Sequence, residues 1–355
     1  MTAGNVRAKR MPTERLLPMA RLLPIPGRTD HRIDALMTLL ASRPMLTISG
    51  ARIAREIGVT RHSVWRWVEM LRALGVHVKG QAGAGYRIEQ VPDVLVPGLL
   101  KPRLRGTIFH SNIYHFFKIP STNDVALELG HRGAPEGTVV TAEEQTAGRG
   151  RLGRAWHSEQ AKGIYASVLL RPKISPASAS ILTLVAGLAA REAVAAQTGL
   201  EVDIRWPNDL LVGGRKIAGI LTEMFAQPDR VEYVVVGIGI NVNQERFPEE
   251  VSQIANSLRN VTGLWHSRLE LLVRLLLELE GHYNRFVGQG PAEIISRFEH
   301  ASSYARGKRV RIHAATETFL GTTEGLEPNG LLRVRRDDGG LETIVSGDVR
   351  EAPGC

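Results

Sequence analysis

Apolar positions change their period along the chain, and each change marks an element. In 32-RIDALMTLLAS-42, Ile33, Leu36, Met37, Leu39 and Leu40 recur at helical spacing. The stretch 49-SGARIAREIGVTRHSVWRWVEMLRALG-75 predicts a helix, a tight break and a second helix. Ser49 and Thr60 stand where N-caps belong, Ala54 is small enough for a close helix crossing, and Gly58 supplies a positive-φ corner. Val64, Val68, Leu71 and Leu74 form the apolar stripe of the second helix, and Gly75 ends it. The following 76-VHVKGQAGAGYRI-88 reads as a hairpin with a glycine-rich tip. Together these elements have the form of a winged helix-turn-helix.

Residues 91–105, with Pro92, Pro97 and Pro102 among alternating aliphatics, read as a linker. The body over 106–302 then mixes β-rich runs (138-TVVTAEE-144, 164-IYASVLLR-171, 231-VEYVVVGIGINV-242) with two long helices, 178-SASILTLVAGLAAREAVAAQTG-199 and 268-RLELLVRLLLELEGHYNRF-286. Their broad apolar faces suit helices packed over a sheet. Short β patterns separated by Gly, Asp and Asn fill 303–355 and predict a small β-barrel of about five strands. The fold class is therefore α+β. Residues 1–30, rich in Pro and Arg, read as a disordered leader, or as a start assigned upstream of Met11 or Met19.

Charge divides the chain in the same place as the pattern. Residues 1–105 hold 18 Lys and Arg against 7 Asp and Glu, whereas the remainder holds 27 against 29. A basic front on a near-neutral body points to a polyanion as the partner of the front. Thr60, Arg61, His62, Ser63 and Arg66 lie at the start of the second helix, where such a helix meets DNA, and Lys79 lies on the wing. The single cysteine, Cys355, excludes an intrachain disulfide, and the apolar runs such as 231–242 are too short to cross a bilayer. A cytoplasmic protein without a membrane partner is the expectation.

The chemistry gathers in two further stretches. In 145-QTAGRGRLGRAW-156, Gly148, Gly150 and Gly153 have the letter pattern of a dinucleotide turn, but 151–163 does not read as a helix and no acid stands at the distance a ribose needs. The alternative is an arginine–glycine loop closing over an anion, since glycine lets backbone amides approach and arginine donates forked hydrogen bonds. In 205-RWPNDLLVGGRKIAGILTE-223, Asp209 suits either a magnesium ion or the orientation of Lys216, and Lys216 suits a carboxylate or a phosphate. Arg, Lys, Asp and Asn around one anion suit ATP-dependent activation of a carboxylic acid, where two anions must be brought together.

At these residues the sequence resembles the bifunctional biotin–protein ligases that double as biotin-operon repressors. The carrying motifs, in family order, are 120-PSTND-124, 145-QTAGRGRLGRAW-156, 206-WPNDLL-211 with 215-RKIAGIL-221, and 237-GIGINVN-243, with 52–76 as the helix-turn-helix. The resemblance covers about residues 31–350 and implies a winged helix-turn-helix, a central mixed-sheet ligase domain and a C-terminal SH3-like barrel. It implies that Ser121, Thr122, Asn123 and Gln145 line the biotin ring pocket, that Arg149, Gly150 and Arg151 form a biotin-binding loop that orders over biotin and its adenylate, and that Lys216 holds the carboxylate and α-phosphate. Arg151, Arg154, Trp156, Asn208, Asp209, Lys216 and Asn241 fall to the ATP side, with Asp209 as the magnesium ligand and Arg149, Asp209 and Lys216 as the catalytic set. For 237–243 a buried strand end is an equal alternative.

The implied activity converts biotin and ATP to biotinyl-AMP and passes biotin to a lysine of a biotin carboxyl carrier protein. Asp209 is the candidate base for that lysine's amine. The N-terminal domain would bind operator DNA as a homodimer formed with biotinyl-AMP. Two other readings stay open: a ligand-sensing repressor without ligase activity, and a lipoate- or octanoate-handling ligase of the same architecture. Trp65 departs from expectation, because a polar residue is expected at its place on the recognition helix.

Overall fold

The computed structural model describes residues 31–73, 75–81, 83–90, 92–314 and 317–352; the leader, Leu74 and Cys355 lie outside them. Three helices, α1 (His31–Ala41), α2 (Gly50–Glu56) and α3 (Arg61–Ala73), precede a hairpin of β1 (Val78–Gln81) and β2 (Gly85–Ile88). The caps fall where the sequence puts them. Ser49 accepts from the Arg52 N–H at 3.2 Å, Thr60 accepts from the Ser63 N–H at 3.1 Å, and Gly58 turns the chain at φ 68°. Val64, Trp67, Val68 and Leu71 are the buried face of α3.

The stretch read as a linker is not a tether. Val94, Leu95, Val96, Leu99, Leu100 and Leu104 are buried, and Pro97–Leu100 forms a short helix, α4, packed on α1. The prolines suggest a loose connection, but the alternating aliphatics between them are the stronger signal, since they find a core to enter. Asp93 then fastens the segment to the body. Its carboxylate accepts from the Leu269 N–H at 2.8 Å and pairs with the buried Arg268 at 3.1 Å, while Arg268 reaches Glu143 at 2.7 Å. Glu143 in turn accepts from the Leu95 N–H at 2.9 Å.

The body is a seven-stranded mixed sheet in the order β3-β4-β5-β9-β8-β7-β6. Its strands are β3 (Ile113–Phe116), β4 (Thr138–Ala142), β5 (Gly163–Leu170), β6 (Asp203–Arg205), β7 (Asp209–Val212), β8 (Arg215–Ala226) and β9 (Val231–Asn241). Only β3 and β4 run parallel. Every residue of β4 and β5 is buried, as expected of strands covered on both faces. One face carries α6 (Ile181–Thr198) and α9 (Arg268–Gln289); the other carries α5 (Thr122–His131). Short helices α7 (Glu249–Ser252) and α8 (Leu258–Thr262) precede α9, and α10 (Pro291–Ala301) follows it.

Among the described residues, one helical stretch, Pro176–Thr198, is apolar and long enough to cross a bilayer, which the sequence reading of short apolar runs overlooked. It contains α6, whose apolar surface is spent on the sheet, α9 and α10. The C-terminal strands β10 (Arg306–His313), β11 (Thr318–Leu326), β12 (Leu332–Arg336), β13 (Leu341–Ile344) and β14 (Asp348–Glu351) form an antiparallel sheet in the order β13-β12-β11-β10-β14. It is tied to the body by the Trp206 indole N–H on Gly330 O at 2.9 Å and by Ser180 Oγ on Asn329 O at 2.6 Å.

Candidate functional site

On the α5 face of the sheet, the first turn of that helix overhangs a cleft of about 450 Å³. Ser121, Thr122, Asn123 and Gln145 meet at one end of the lining and Arg151, Trp156, Asn208 and Lys216 at the other. Two glycines make the floor. A Cβ on Gly237 would stand 2.1 Å from Asn123 Oδ1, and one on Gly239 would stand 2.5 Å from Trp156. These positions lie two apart on β9 and so share a face of the strand, which lets Asn123 and Trp156 lie flat against it. This is why 237–243 is glycine-rich. Asn241, by contrast, does not line the cleft: it is buried, and its amide donates to Asn256 O at 3.0 Å. There the strand-end alternative holds.

The pocket end is a continuous polar chain. Gln145 Oε1 accepts from the Thr122 N–H at 2.8 Å and the Thr122 hydroxyl at 3.1 Å, and Gln145 Nε2 donates to Ser158 at 3.0 Å. Asn123 Nδ2 donates to Glu223 at 2.7 Å, and its Oδ1 accepts from Ser167 at 2.6 Å. Ser167 and Glu223 were missed in sequence. The signal for Ser167 was present: a hydroxyl inside the otherwise apolar 164-IYASVLLR-171 must find a partner once the strand is buried. Ser121 precedes α5 with extended backbone and lines the cleft.

The arginine–glycine loop folds back on itself. Trp156 N–H donates to Gly148 O at 2.8 Å and Gly150 N–H to Arg154 O at 2.7 Å, around a tip where Leu152 and Gly153 take φ of 57° and 72°. No long helix follows, so the dinucleotide reading is excluded by geometry as well as by spacing. Arg149 is held by Asp124 and stands 3.5 Å from Glu223. Arg151 donates to Asn208 Oδ1 at 3.2 Å, and burial lowers its pKa. Arg154 departs from its expected place on the nucleotide side. It forks onto Asp348 of β14, 2.9 Å away along one arm, and lines no part of the cleft.

Lys216 is aimed by a bulge. Leu210 pairs with Ala218 but Leu211 pairs with Lys216, so Ile217 is an extra residue that turns the strand. The Lys216 ammonium lies 2.5 Å from Asp209 Oδ1 and 5.3 Å from the ring centre of Trp156. Arg205 takes the other Asp209 oxygen at 2.6 Å. Burial works to raise the Asp209 carboxyl, but Lys216 and Arg205 overcome it and hold it below the usual range. This corrects two expectations. With both oxygens on cations, Asp209 does not fit a magnesium ligand, and a carboxylate with a depressed pKa is a poor base for an amine. In this geometry its two oxygens are taken by Lys216 and Arg205. Trp156 Nε1, buried beside Lys216, has no acceptor among the described residues.

In the N-terminal domain, Arg61, His62 and Arg66 of α3 are exposed to solvent and Ser63 is half-buried. Trp65 is half-exposed and tilts against His62, ring centres 5.7 Å apart. Lys79 on the wing pairs with Glu89 at 2.8 Å.

Known proteins supply the comparison. Residues 32–87 match an HTH domain, 116–241 the Biotin/lipoate A/B protein ligase family, and 306–350 the Biotin protein ligase C terminal domain. The bifunctional ligase/repressor BirA of Bacillus spizizenii is 38% identical over 306 residues, which are 85% of this chain and 93% of that one. Its counterpart in Escherichia coli is 28% identical over 302 residues, 85% of this chain and 92% of that one. Among solved structures, the biotin protein ligase of Aquifex aeolicus in complex with biotin and ATP superposes with a TM-score of 0.60 at 30% identity, covering 68% of this chain and 100% of its own. With the helix-turn-helix, the ligase sheet and the C-terminal sheet all matched in order, the chain belongs to the family of bifunctional biotin–protein ligase/repressors.

Proposed function

We propose that the chain activates biotin with ATP to biotinyl-5′-AMP, releasing pyrophosphate, and transfers the biotinyl group to a lysine amine of a biotin carboxyl carrier protein, releasing AMP. The observation that carries this reading is the polarity of the cleft. One end offers hydroxyls and amides, which serve both the carbonyl and the N–H groups of a ureido ring. The other end offers the Lys216 ammonium, Arg151 and an unpartnered indole N–H.

In the first step a biotin carboxylate oxygen attacks the α-phosphate. Lys216, held by Asp209, screens the repulsion between the two anions, and Arg151 adds charge to the same end. Arg149, Gly150 and Arg151 cover the acyl phosphate and keep water from it. In the second step the carrier amine attacks the biotinyl carbonyl and AMP leaves. The chain also acts in the cytoplasm as a repressor, with biotinyl-AMP favouring a homodimer whose paired α3 helices meet operator DNA. Biotin-dependent ATP–pyrophosphate exchange tests the first step. Exchange that requires biotin and disappears in Lys216→Ala is expected; biotin binding without exchange would leave a sensor in place of a ligase.

A further inference from the structure

We infer that Glu223 is a positioning residue that fixes the polarity of the ring pocket and latches the arginine–glycine loop through one carboxylate oxygen. The inference rests on the ligase reading above for the ligand's identity, but not for the contacts themselves. Glu223 Oε2 accepts from Asn123 Nδ2 at 2.7 Å and lies 3.5 Å from Arg149 Nη2. The backbone carbonyl of Leu221 also faces Asn123 Nδ2, at 3.3 Å. Two acceptors on one side leave the Asn123 amide only one orientation, nitrogen toward Glu223 and oxygen toward Ser167.

That orientation propagates. Ser167 Oγ lies 2.6 Å from Asn123 Oδ1 and 2.8 Å from Thr122 Oγ1, yet it has one hydrogen. Once that hydrogen goes to Asn123, Ser167 meets other groups with lone pairs. Asn123, the member of the pair that lines the cleft, therefore keeps its acceptor oxygen on the Ser167 side, which is what a ligand's ring N–H groups require. Without the Glu223 carboxylate only the longer contact to Leu221 O opposes a turned-over Asn123, which would offer a donor where an acceptor is needed and leave a polar pair mismatched in a buried site.

The same carboxylate holds the loop. Arg149 sits between Asp124 and Glu223 at the rim of the cleft, so the loop carrying it is tethered to the pocket wall by charge. Glu223 is not itself part of the cleft lining; it acts through Asn123 and Arg149, which are.

Three substitutions separate the two jobs. Glu223→Gln keeps an acceptor for Asn123 but loses the charge on Arg149; Glu223→Ala loses both; Asp124→Asn weakens Arg149 without touching Asn123. Two readouts are used on the full chain: calorimetric biotin binding, and the rate of tryptic cleavage after Arg149 and Arg151 without ligand. The expectation for Glu223→Gln and Asp124→Asn is biotin affinity within about threefold of the parent and cleavage faster by about fivefold or more. For Glu223→Ala the expectation is the same fast cleavage together with a fall in biotin affinity of about tenfold or more.

Parent-like affinity and cleavage in both Glu223 variants would overturn the inference, as would an equal loss of biotin affinity in Glu223→Gln and Glu223→Ala. If Glu223→Ala does not fold, Glu223→Gln and Asp124→Asn still decide the latch. A parent protein that binds no biotin would instead defeat the ligase reading, and the cleavage rates would still test the tether.

Discussion

Asp209 and Lys216, seven residues apart on neighbouring strands, meet as an ion pair 2.5 Å across at the anion end of the cleft. The bulge at Ile217 makes the meeting possible, and Arg205 holds the aspartate from behind. If Lys216 stabilises charge that develops on the phosphate, Lys216→Ala should lower single-turnover adenylate formation by about 10²–10³-fold while biotin still binds. Asp209→Asn should cost less, about tenfold, because it loosens the lysine without removing it. Rapid-quench measurement of biotinyl-AMP in both variants checks the order; equal losses in binding and chemistry would contradict it.

Alternate glycines on β9 should resist even one methyl group. Gly237→Ala drives a methyl to 2.1 Å from Asn123 Oδ1 and should weaken biotin binding by about tenfold or more. Gly239→Ala displaces Trp156 and should fall mainly on the ATP side. Either change should cost about 1–3 kcal/mol of stability as overpacking. Calorimetry with each substrate separates the two; a shared, equal effect on both ligands would contradict the division of the cleft.

The buried carboxylate of Glu143 gives a pH signature. Burial works to raise it, but Arg268, His115 and the Leu95 N–H outweigh burial and hold its pKa at about 2, below the ordinary 4.5. A depressed folded-state value means stability that is fully present above pH 4.5 and drains away as pH falls toward 2. The contribution is roughly 3 kcal/mol. Urea unfolding at pH 6 and pH 3 should show a smaller loss in Glu143→Gln than in the parent, from a lower starting stability. Arg268→Met takes the guanidinium from the buried carboxylate, leaving it only His115 and the Leu95 N–H, and should cost about 3–5 kcal/mol.

On α3, Arg61→Ala and Arg66→Ala remove exposed charges that form no ion pair among the described residues. Each should lower the slope of log affinity against log salt by about 0.9 for operator DNA. Ligase activity should be unchanged, because the cleft is built from the sheet and α5. An unchanged salt slope would remove α3 from the DNA interface.

What the sequence made legible was local. The caps at Ser49 and Thr60, the stripe of α3 and the long helices are set by residues within a few positions of one another. Thr122, Asn123, Gln145, Arg151 and Lys216 line the cleft and are legible as candidates because their motifs are contiguous. The misses depend on distant partners. Arg154 looks like a nucleotide ligand until Asp348, 194 residues away, is brought to it. Glu223 looks like a surface charge until β8 carries it beside Asn123, 100 residues earlier. Arg268 opens a helix in sequence, and only the packing of residues 93–95 beneath it shows why an arginine is buried there.

Transfer of labelled biotin from ATP-activated enzyme to the lysine of a carrier domain tests the central claim most directly. The assay is run with ATP and magnesium, beside Lys216→Ala and beside excess lipoate. The account predicts a biotin-dependent mass increase on one carrier lysine, lost in Lys216→Ala and indifferent to lipoate. No transfer from a protein that binds biotin, or transfer that lipoate abolishes, would contradict it.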